Sequence, residues 1–259
     1  MLPRTPSGRP LGRRTPHVPH HTLRVARAAA LVDSLPVAVD LRPLCPPVQD
    51  QGQQGSCTAH ALAGAMGILR CRAVNDGLWQ GGEYRPSRAF IYYQERASEG
   101  ATALDNGAVL FDGVAVVETG VPDETAMPYS DLDYTTPPPA SVERVHRVTN
   151  ADPLALDLAT ILGTLAQGYP VVVGVQVHPS FEAAGDNGGA GDVPLPTAGE
   201  EALGGHAITL VGYDLARGVV RFRNSWGTSW GDGGYGTLAF GYVTDALLCD
   251  EAYALRVLV

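Results

Sequence analysis

The chain of 259 residues contains no lysine, and all 18 of its basic residues are arginine. That absence reads as a compositional bias and assigns no chemistry by itself. Long apolar runs are also missing. Nothing approaches the roughly 20 consecutive apolar residues of a membrane-spanning helix, so no membrane partner is expected. A basic surface is lacking too: the net charge is −9, which argues against nucleic acid as a partner, since phosphate contacts need clustered positive charge. What the chain has in quantity is apolar material, 45% of its residues, enough for the large core of one globular unit.

Only four cysteines are present, and one of them is placed where chemistry is usual. Cys57 closes the string QDQGQQGSC and opens the Ala-rich run TAHALAGAMGILR, which reads as a buried helix. A thiol at a helix N-terminus has its thiolate favoured by the macrodipole and by unpaired backbone N–H groups. Taken alone, Cys57 could be a buried structural thiol, because free cysteine packs as a small hydrophobe. Two later strings argue otherwise. His206 stands at the mouth of the β-rich run GGHAITLVGYD, and Asn224 follows another strand in VVRFRNSWGTSWGDGGYG. Cysteine nucleophiles need a base for the thiol proton and a third group to orient that base. His206 lies near the separation of about 130 to 150 residues known for such pairs, and Asn224 somewhat beyond it. Each could separately be a strand-end histidine or a turn residue; the three together point to a nucleophile, a base and an orienting amide.

With these blocks the chain resembles the papain-like (C1) cysteine peptidases over roughly residues 35–259. The segment CPPVQDQGQQGSCTA is most similar to the bacterial branch, in place of the GSCWAF of plant and lysosomal enzymes. The resemblance implies an α+β fold of two lobes, one helical and one like a β-barrel, with the active-site cleft between them. It implies Cys57 as nucleophile, His206 as base and acid, Asn224 as the orienting residue, and Gln51, six positions before Cys57, as side-chain donor of the oxyanion hole. A thiolate–imidazolium pair, a thioester acyl-enzyme and hydrolysis by water activated at His206 follow from that assignment, with Trp226 shielding the His206–Asn224 bond. No cofactor and no metal are called for. The expected activity is that of an endopeptidase on peptide or protein substrates. The same acyl-enzyme would serve a peptide ligase or transpeptidase, and a non-catalytic binding protein on this fold is the remaining alternative.

Some positions depart from the better-known branch. Gln54 stands where secreted relatives have a disulfide-forming cysteine, and Thr58 and His60 replace aromatic residues, so the start of the helix must pack differently. With Cys57 committed, Cys45, Cys71 and Cys249 allow at most one bridge. Buried free thiols in a reducing compartment are the preferred reading.

Charge divides the chain. Residues 1–32 carry six arginines and no acid, leaving twelve arginines against 27 acidic residues in the remainder, so a +6 arm is tethered to a −15 body. The prolines of the arm predict an extended chain up to His20, and His21–Val32 is compatible with a short helix. Residues 1–34 are therefore separated from a peptidase domain at 35–259. The arm reads as a disordered leader, a short prosegment in contact with the cleft, or a targeting peptide. Arg24 and Arg27 interrupt its only apolar stretch, which makes a poor secretory signal and favours a cytoplasmic location.

Periodicity predicts helices at 87–99, 108–119 and 153–167, and strands at 171–177, 206–213, 219–224 and 235–240, so the first half is mainly helical and the second mainly β. The Gly-rich segment 179–205 is expected to be a mobile loop at the cleft rim. By the resemblance, Gly107, paired in sequence with the turn Gly120, offers backbone hydrogen bonds to an extended peptide. Val109, Gly174 and Ala207 surround the pocket for the second residue before the cut. These small apolar walls predict a preference there for Leu, Val, Phe or Tyr.

Overall fold

The computed structural model describes residues 2–15 and 35–259. The helix considered at His21–Val32 lies outside the described residues. The arm contributes β1 (Arg13–Arg14), and the body begins with β2 (Ala38–Asp40). The helical half holds α1 (Cys57–Asn75), α2 (Arg88–Ser98), the two-residue β3 (Ala108–Val109) and α3 (Leu110–Thr119). Then come β4 (Ala151–Pro153), α4 (Leu158–Ala166), β5 (Val171–Val177), α5 (Pro179–Ala183) and β6 (Asp192–Val193). The long β7 (Gly204–Asp214), β8 (Val219–Arg223), β9 (Tyr235–Ala239), α6 (Phe240–Thr244) and β10 (Cys249–Leu255) complete the chain.

The sheet runs β4-β10-β5-β7-β8-β9-β6, with β2 pairing the C-terminal end of β7. Its central strands β5 and β7 read VVVGVQV and GGHAITLVGYD, near-continuous apolar runs that are buried on both faces. Two hydrophobic clusters result, a β cluster around Phe181, Phe222 and Trp230 and a helical cluster around Leu62, Phe90 and Tyr92. Helix α1 lies between them and is buried all round from Cys57 to Leu69, as expected of a helix without a polar face. It gives Ile68 to the first cluster and Leu62, Met66 and Leu69 to the second. Thr209 Oγ1 on β7 donates to the carbonyl of Ala61 at 2.8 Å, pinning the helix to the strand and so fixing the height of Cys57 against His206.

Several boundaries differ from the sequence expectation. The helix expected from Ala108 begins at Leu110, because Ala108 and Val109 pair with β1. The helix expected over 153–167 is shortened to Leu158–Ala166, where Asp157 caps it by accepting from Thr160 N–H, and Ala151–Pro153 pairs with β10 instead. The segment 179–205 is structured: it forms α5, whose Phe181 is fully buried, and β6, which joins β9.

Candidate active site

Cys57 is the first residue of α1, and the preceding Ser56 makes no side-chain cap. The Ser56 hydroxyl bonds the Tyr129 hydroxyl at 2.7 Å instead. A helix start without such a cap keeps N–H groups and the positive end of the dipole beside the thiol. The substituted positions around it are filled by polar pairs. Thr58 Oγ1 donates to Glu95 at 2.8 Å. Arg88 Nη1 donates to His60 Nε2 at 3.2 Å, so His60 carries its proton on Nδ1 and gives it to the Ser56 carbonyl at 2.9 Å. Gln54 ties its amide to the carbonyls of Ser130 at 3.1 Å and Asp133 at 3.3 Å, a non-covalent strap where a disulfide would otherwise sit. All four cysteines are free.

His206 is fully buried on β7, and its Nε2 lies 2.8 Å from Asn224 Oδ1. The same oxygen accepts the Ser225 N–H at 2.8 Å, which fixes the orientation of the amide. Nε2 must then be the protonated nitrogen. Nδ1 has no partner among the described residues, so its lone pair is available to take a proton. Trp226, 3% exposed, stacks on the imidazole with centroids 4.7 Å apart and keeps water from the His206–Asn224 bond. Gln51 is fixed as firmly. Its Oε1 accepts from Ser225 Oγ at 2.7 Å, and its Nε2 donates to the carbonyls of Gln54 at 3.0 Å and Pro10 at 3.2 Å.

Pro10 belongs to the arm, which occupies the cleft. Residues 3–11 form a small hairpin rather than the extended chain expected, closed by Leu11 N–H to the Pro3 carbonyl at 2.8 Å and Thr5 N–H to the Arg9 carbonyl at 2.9 Å. Beyond it Arg13–Arg14 lies parallel to β3, and Arg13 lies opposite Gly205 of β7 in antiparallel pairing. Arg9 sits over the Trp226 ring at 5.1 Å and reaches Glu182 at 3.2 Å and Asp186 at 2.7 Å. The backbones of Gly12 and Ala207 lie beside the Cys57 sulfur. Glycine is required there, since a Cβ on Gly12 would stand 1.8 Å from the Gly55 carbonyl oxygen.

Under this cover burial opposes the charged form of both groups. Burial pushes the Cys57 thiol from 9.0 up to about 11, against the N–H groups of Ala207 and Gly12. Burial pushes His206 down to about 4, with Asn224 opposing and Arg9 adding to the depression. The rise at Cys57 corresponds to roughly 3 kcal/mol, more than the ~0.3–2 kcal/mol that a helix terminus contributes, so desolvation wins.

Residues 35–252 match the papain family cysteine protease profile. The chain belongs to the papain family of cysteine proteases. It is 31% identical to xylellain, a cysteine protease from Xylella fastidiosa, with a TM-score of 0.85 over 99% of this chain and 98% of that one. This agrees with the sequence resemblance to the bacterial branch. It is 32% identical to an uncharacterised peptidase C1-like protein of Acanthamoeba polyphaga mimivirus across 80% of this chain and 68% of the relative. A cathepsin B-like protein of Giardia intestinalis is 29% identical across 86% of this chain and 74% of its own length. The α+β, two-lobed papain fold and the cysteine peptidase class are thereby established.

In this papain-family protease the small-walled pocket differs from its sequence reading. Gly174 pairs with Ala207, and against Gly174 lies the Arg13 side chain, which is fully buried. Arg13 Nε and Nη2 donate to Glu251 Oε1 at 3.0 and 2.7 Å, and Nη2 also donates to Asp250. Two carboxylates, of Glu251 opposite Gly174 and of the adjacent Asp250, thus stand beside the small residues named from the sequence. Gly107 differs as well: its N–H is spent on the Tyr92 hydroxyl at 3.2 Å, and Ala108 N–H receives the arm, donating to the Gly12 carbonyl at 2.8 Å. Gly107, at φ +75°, lets the two backbones approach, since a Cβ there would lie 1.8 Å from the Gly12 oxygen. Glu251, Asp250 and Ser225 were missed from the sequence. The one available signal was an acidic pair interrupting the apolar strand CDEAYAL.

Proposed function

We propose that the protein hydrolyses peptide bonds through a thioester formed on Cys57, and that its N-terminal arm holds this chemistry latent. The observation that carries the reading is the 2.8 Å bond from His206 Nε2 to Asn224 Oδ1, which leaves Nδ1 as an unoccupied base. His206 takes the Cys57 proton as the sulfur attacks the substrate carbonyl. The developing oxyanion is bound by the Gln51 amide, the group that holds the Pro10 carbonyl while the arm is in place. His206 then gives its proton to the departing amine, and water released against the thioester by the same base regenerates the thiol. Asn224 keeps the imidazole in the required tautomer throughout.

The arm is read as an inhibitor and not as a substrate because of its direction. A peptide that fills the pocket with its second residue before the cut places the next residue C-terminal to it at the sulfur. Here Gly12, the N-terminal neighbour of Arg13, meets Cys57, while Arg14 turns away to pair with Glu99. The chain therefore runs backwards across the nucleophile. Replacing Cys57 with alanine in a variant whose arm is displaced by Gly12→Ala is expected to abolish cleavage of a protein substrate such as casein, while Cys45→Ser and Cys71→Ser in the same background retain it. Full activity of the Cys57→Ala protein would refute the mechanism.

A further inference from the structure

We infer that Tyr129 is a positioning residue for the oxyanion hole, its single hydroxyl tying together the two stretches of chain that carry the oxyanion donors. The inference deepens the peptidase reading above and rests on it. In that reading the donors are the Gln51 side-chain amide and the backbone N–H of Cys57 in the first turn of α1, where N–H groups have no partner within the helix. These two groups belong to separate segments and have to be held at one mutual distance. The Tyr129 hydroxyl lies 2.8 Å from the Gln51 carbonyl and 2.7 Å from Ser56 Oγ. A carbonyl can only accept, so Tyr129 spends its one hydrogen on Gln51 and receives the hydrogen of Ser56. Ser56 immediately precedes Cys57. A directed chain from Ser56 through Tyr129 to Gln51 therefore spans both halves of the hole.

Tyr129 is itself clamped from outside the hole. The Arg88 guanidinium lies over its ring, 4.5 Å from the centroid, and the His60 ring meets it edge-on at 4.8 Å. Arg88 is buried, pairs with Glu124 and donates to His60 Nε2, while His60 Nδ1 holds the Ser56 carbonyl at 2.9 Å. Burial pushes the phenol above its ordinary range, so the hydroxyl stays protonated and remains a donor. The Gln51 backbone is fixed on its other side by its own N–H, which donates to the Ser225 carbonyl at 2.9 Å, and its carbonyl also accepts the Gln54 N–H at 3.2 Å. Ser225 Oγ thus aims the Gln51 side chain, and Tyr129 sets the height of the backbone that bears it. Removing the hydroxyl leaves the Gln51 carbonyl short of a donor and the Ser56 hydroxyl without its acceptor. Both donors then lose their register with an oxygen whose charge exists only in the transition state, which lowers kcat and leaves ground-state binding alone.

The test compares Tyr129→Phe with its parent, both in the full-length chain carrying Gly12→Ala, on a blocked fluorogenic dipeptide, Phe-Arg aminomethylcoumarin amide. The substitution keeps the ring against Arg88 and His60 and removes only the hydroxyl. The expected result is a fall in kcat of about tenfold, the order of a lost buried hydrogen bond, with KM within about twofold of the parent. Alkylation of Cys57 by iodoacetamide develops no oxyanion and should keep the parent rate within about twofold. In a Gln51→Ala background the same substitution should cost no more than about threefold, the part that acts through Ser56. A merely structural hydroxyl would lower kcat by the same factor with and without the Gln51 amide, or slow alkylation and hydrolysis together. Either result overturns the inference, as does an unchanged kcat. Should Tyr129→Phe fail to fold, Ser56→Ala removes the other end of the chain with Tyr129 still packed: lowered kcat at unchanged KM and unchanged alkylation supports the role, and equal kcat overturns it. Alkylation of Cys57 without turnover by the Gly12→Ala parent would refute the peptidase reading and the role with it, whereas parental turnover that Tyr129→Phe leaves untouched refutes the positioning role alone.

Discussion

Gln51 donates one hydrogen to the carbonyl of Pro10 at 3.2 Å, while its Oε1 is anchored by Ser225 Oγ at 2.7 Å. The amide is thus aimed before any substrate arrives, and the arm uses the same donor that the proposed mechanism assigns to the oxyanion. Donors directed at a charge that exists only in the transition state act on kcat. Replacing Gln51 with alanine, in a variant with the arm displaced, should lower kcat by roughly 100 to 1,000-fold with a smaller change in KM. Ser225→Ala removes only the anchor, a hydrogen bond worth about 0.5–1.5 kcal/mol, and should cost roughly tenfold or less. Steady-state kinetics of both variants check the order. A larger loss for Ser225→Ala than for Gln51→Ala would mean that Gln51 is not the donor.

Gly12 crosses Gly55 and Gly107 at a separation with no room for a side chain. Gly12→Ala would place a Cβ 1.8 Å from a backbone oxygen, a clash that can be relieved only by lifting the arm. The body should be unaffected, because the residues that form its two cores are those of 35–259, with the exception of Leu11. The expected outcome is higher peptidase activity and faster alkylation of Cys57 by iodoacetamide at pH 7 than in the unmodified chain, with little change in far-UV circular dichroism. The gain should shrink in high salt, where the ion pairs of Arg9 and Arg14 with Glu182, Asp186 and Glu99 are screened in both proteins, given a Debye length of about 3 Å at 1 M. Unchanged activity at both salt concentrations would remove the arm from control of the site.

Much of this was legible in one dimension because the features are local. Cys57, His206 and Asn224 each stand in a short string whose spacing encodes a turn, a strand end or a helix start, and the structure brings His206 and Asn224 to 2.8 Å. The apolar runs of β5 and β7 likewise specify buried strands by themselves. What escaped were pairings between distant residues. Nothing near Arg13 announces Glu251, 238 positions away, and no local pattern shows that Ala108, not Gly107, gives its N–H to the arm. The electrostatics of the thiol divide in the same way: the helix dipole can be read from the motif, whereas the desolvation that opposes it depends on where the arm lies.

Asn224 orients His206 but transfers no proton, so its loss should be less damaging than loss of the base. With the arm displaced, Asn224→Ala is expected to reduce kcat/KM by less than His206→Ala does, and to broaden the acid limb of the pH–rate profile as the imidazole loses its fixed tautomer. Thermal melts of both variants confirm that folded proteins are compared. The reverse order of severity would mean that the two roles are misassigned.

Acid should loosen the covered state before it titrates the ordinary carboxylates. His206 has its pKa depressed from 6.5 to about 4 by burial, so the folded protein resists a proton that the unfolded chain accepts. For a depressed histidine the stabilising contribution is complete above 6.5 and is lost as pH falls toward 4; at pH 5 the loss amounts to about 2 kcal/mol at 1.36 kcal/mol per pH unit. His60, lowered by burial and by Arg88, acts in the same direction. Glu251 and Glu95 oppose it, since burial raises both and protonation relieves them, whereas the lowered Asp40, Asp123 and Asp192 contribute only below their ordinary range near 4. Urea unfolding at pH 7 and pH 5 should therefore show a smaller fall in stability for His206→Gln than for the unmodified chain, by up to about 2 kcal/mol. Gly12→Ala should also flatten the response, because lifting the arm returns the imidazole to water and restores its ordinary titration. An identical fall in all three proteins would show that His206 is not the group whose protonation the folded state resists.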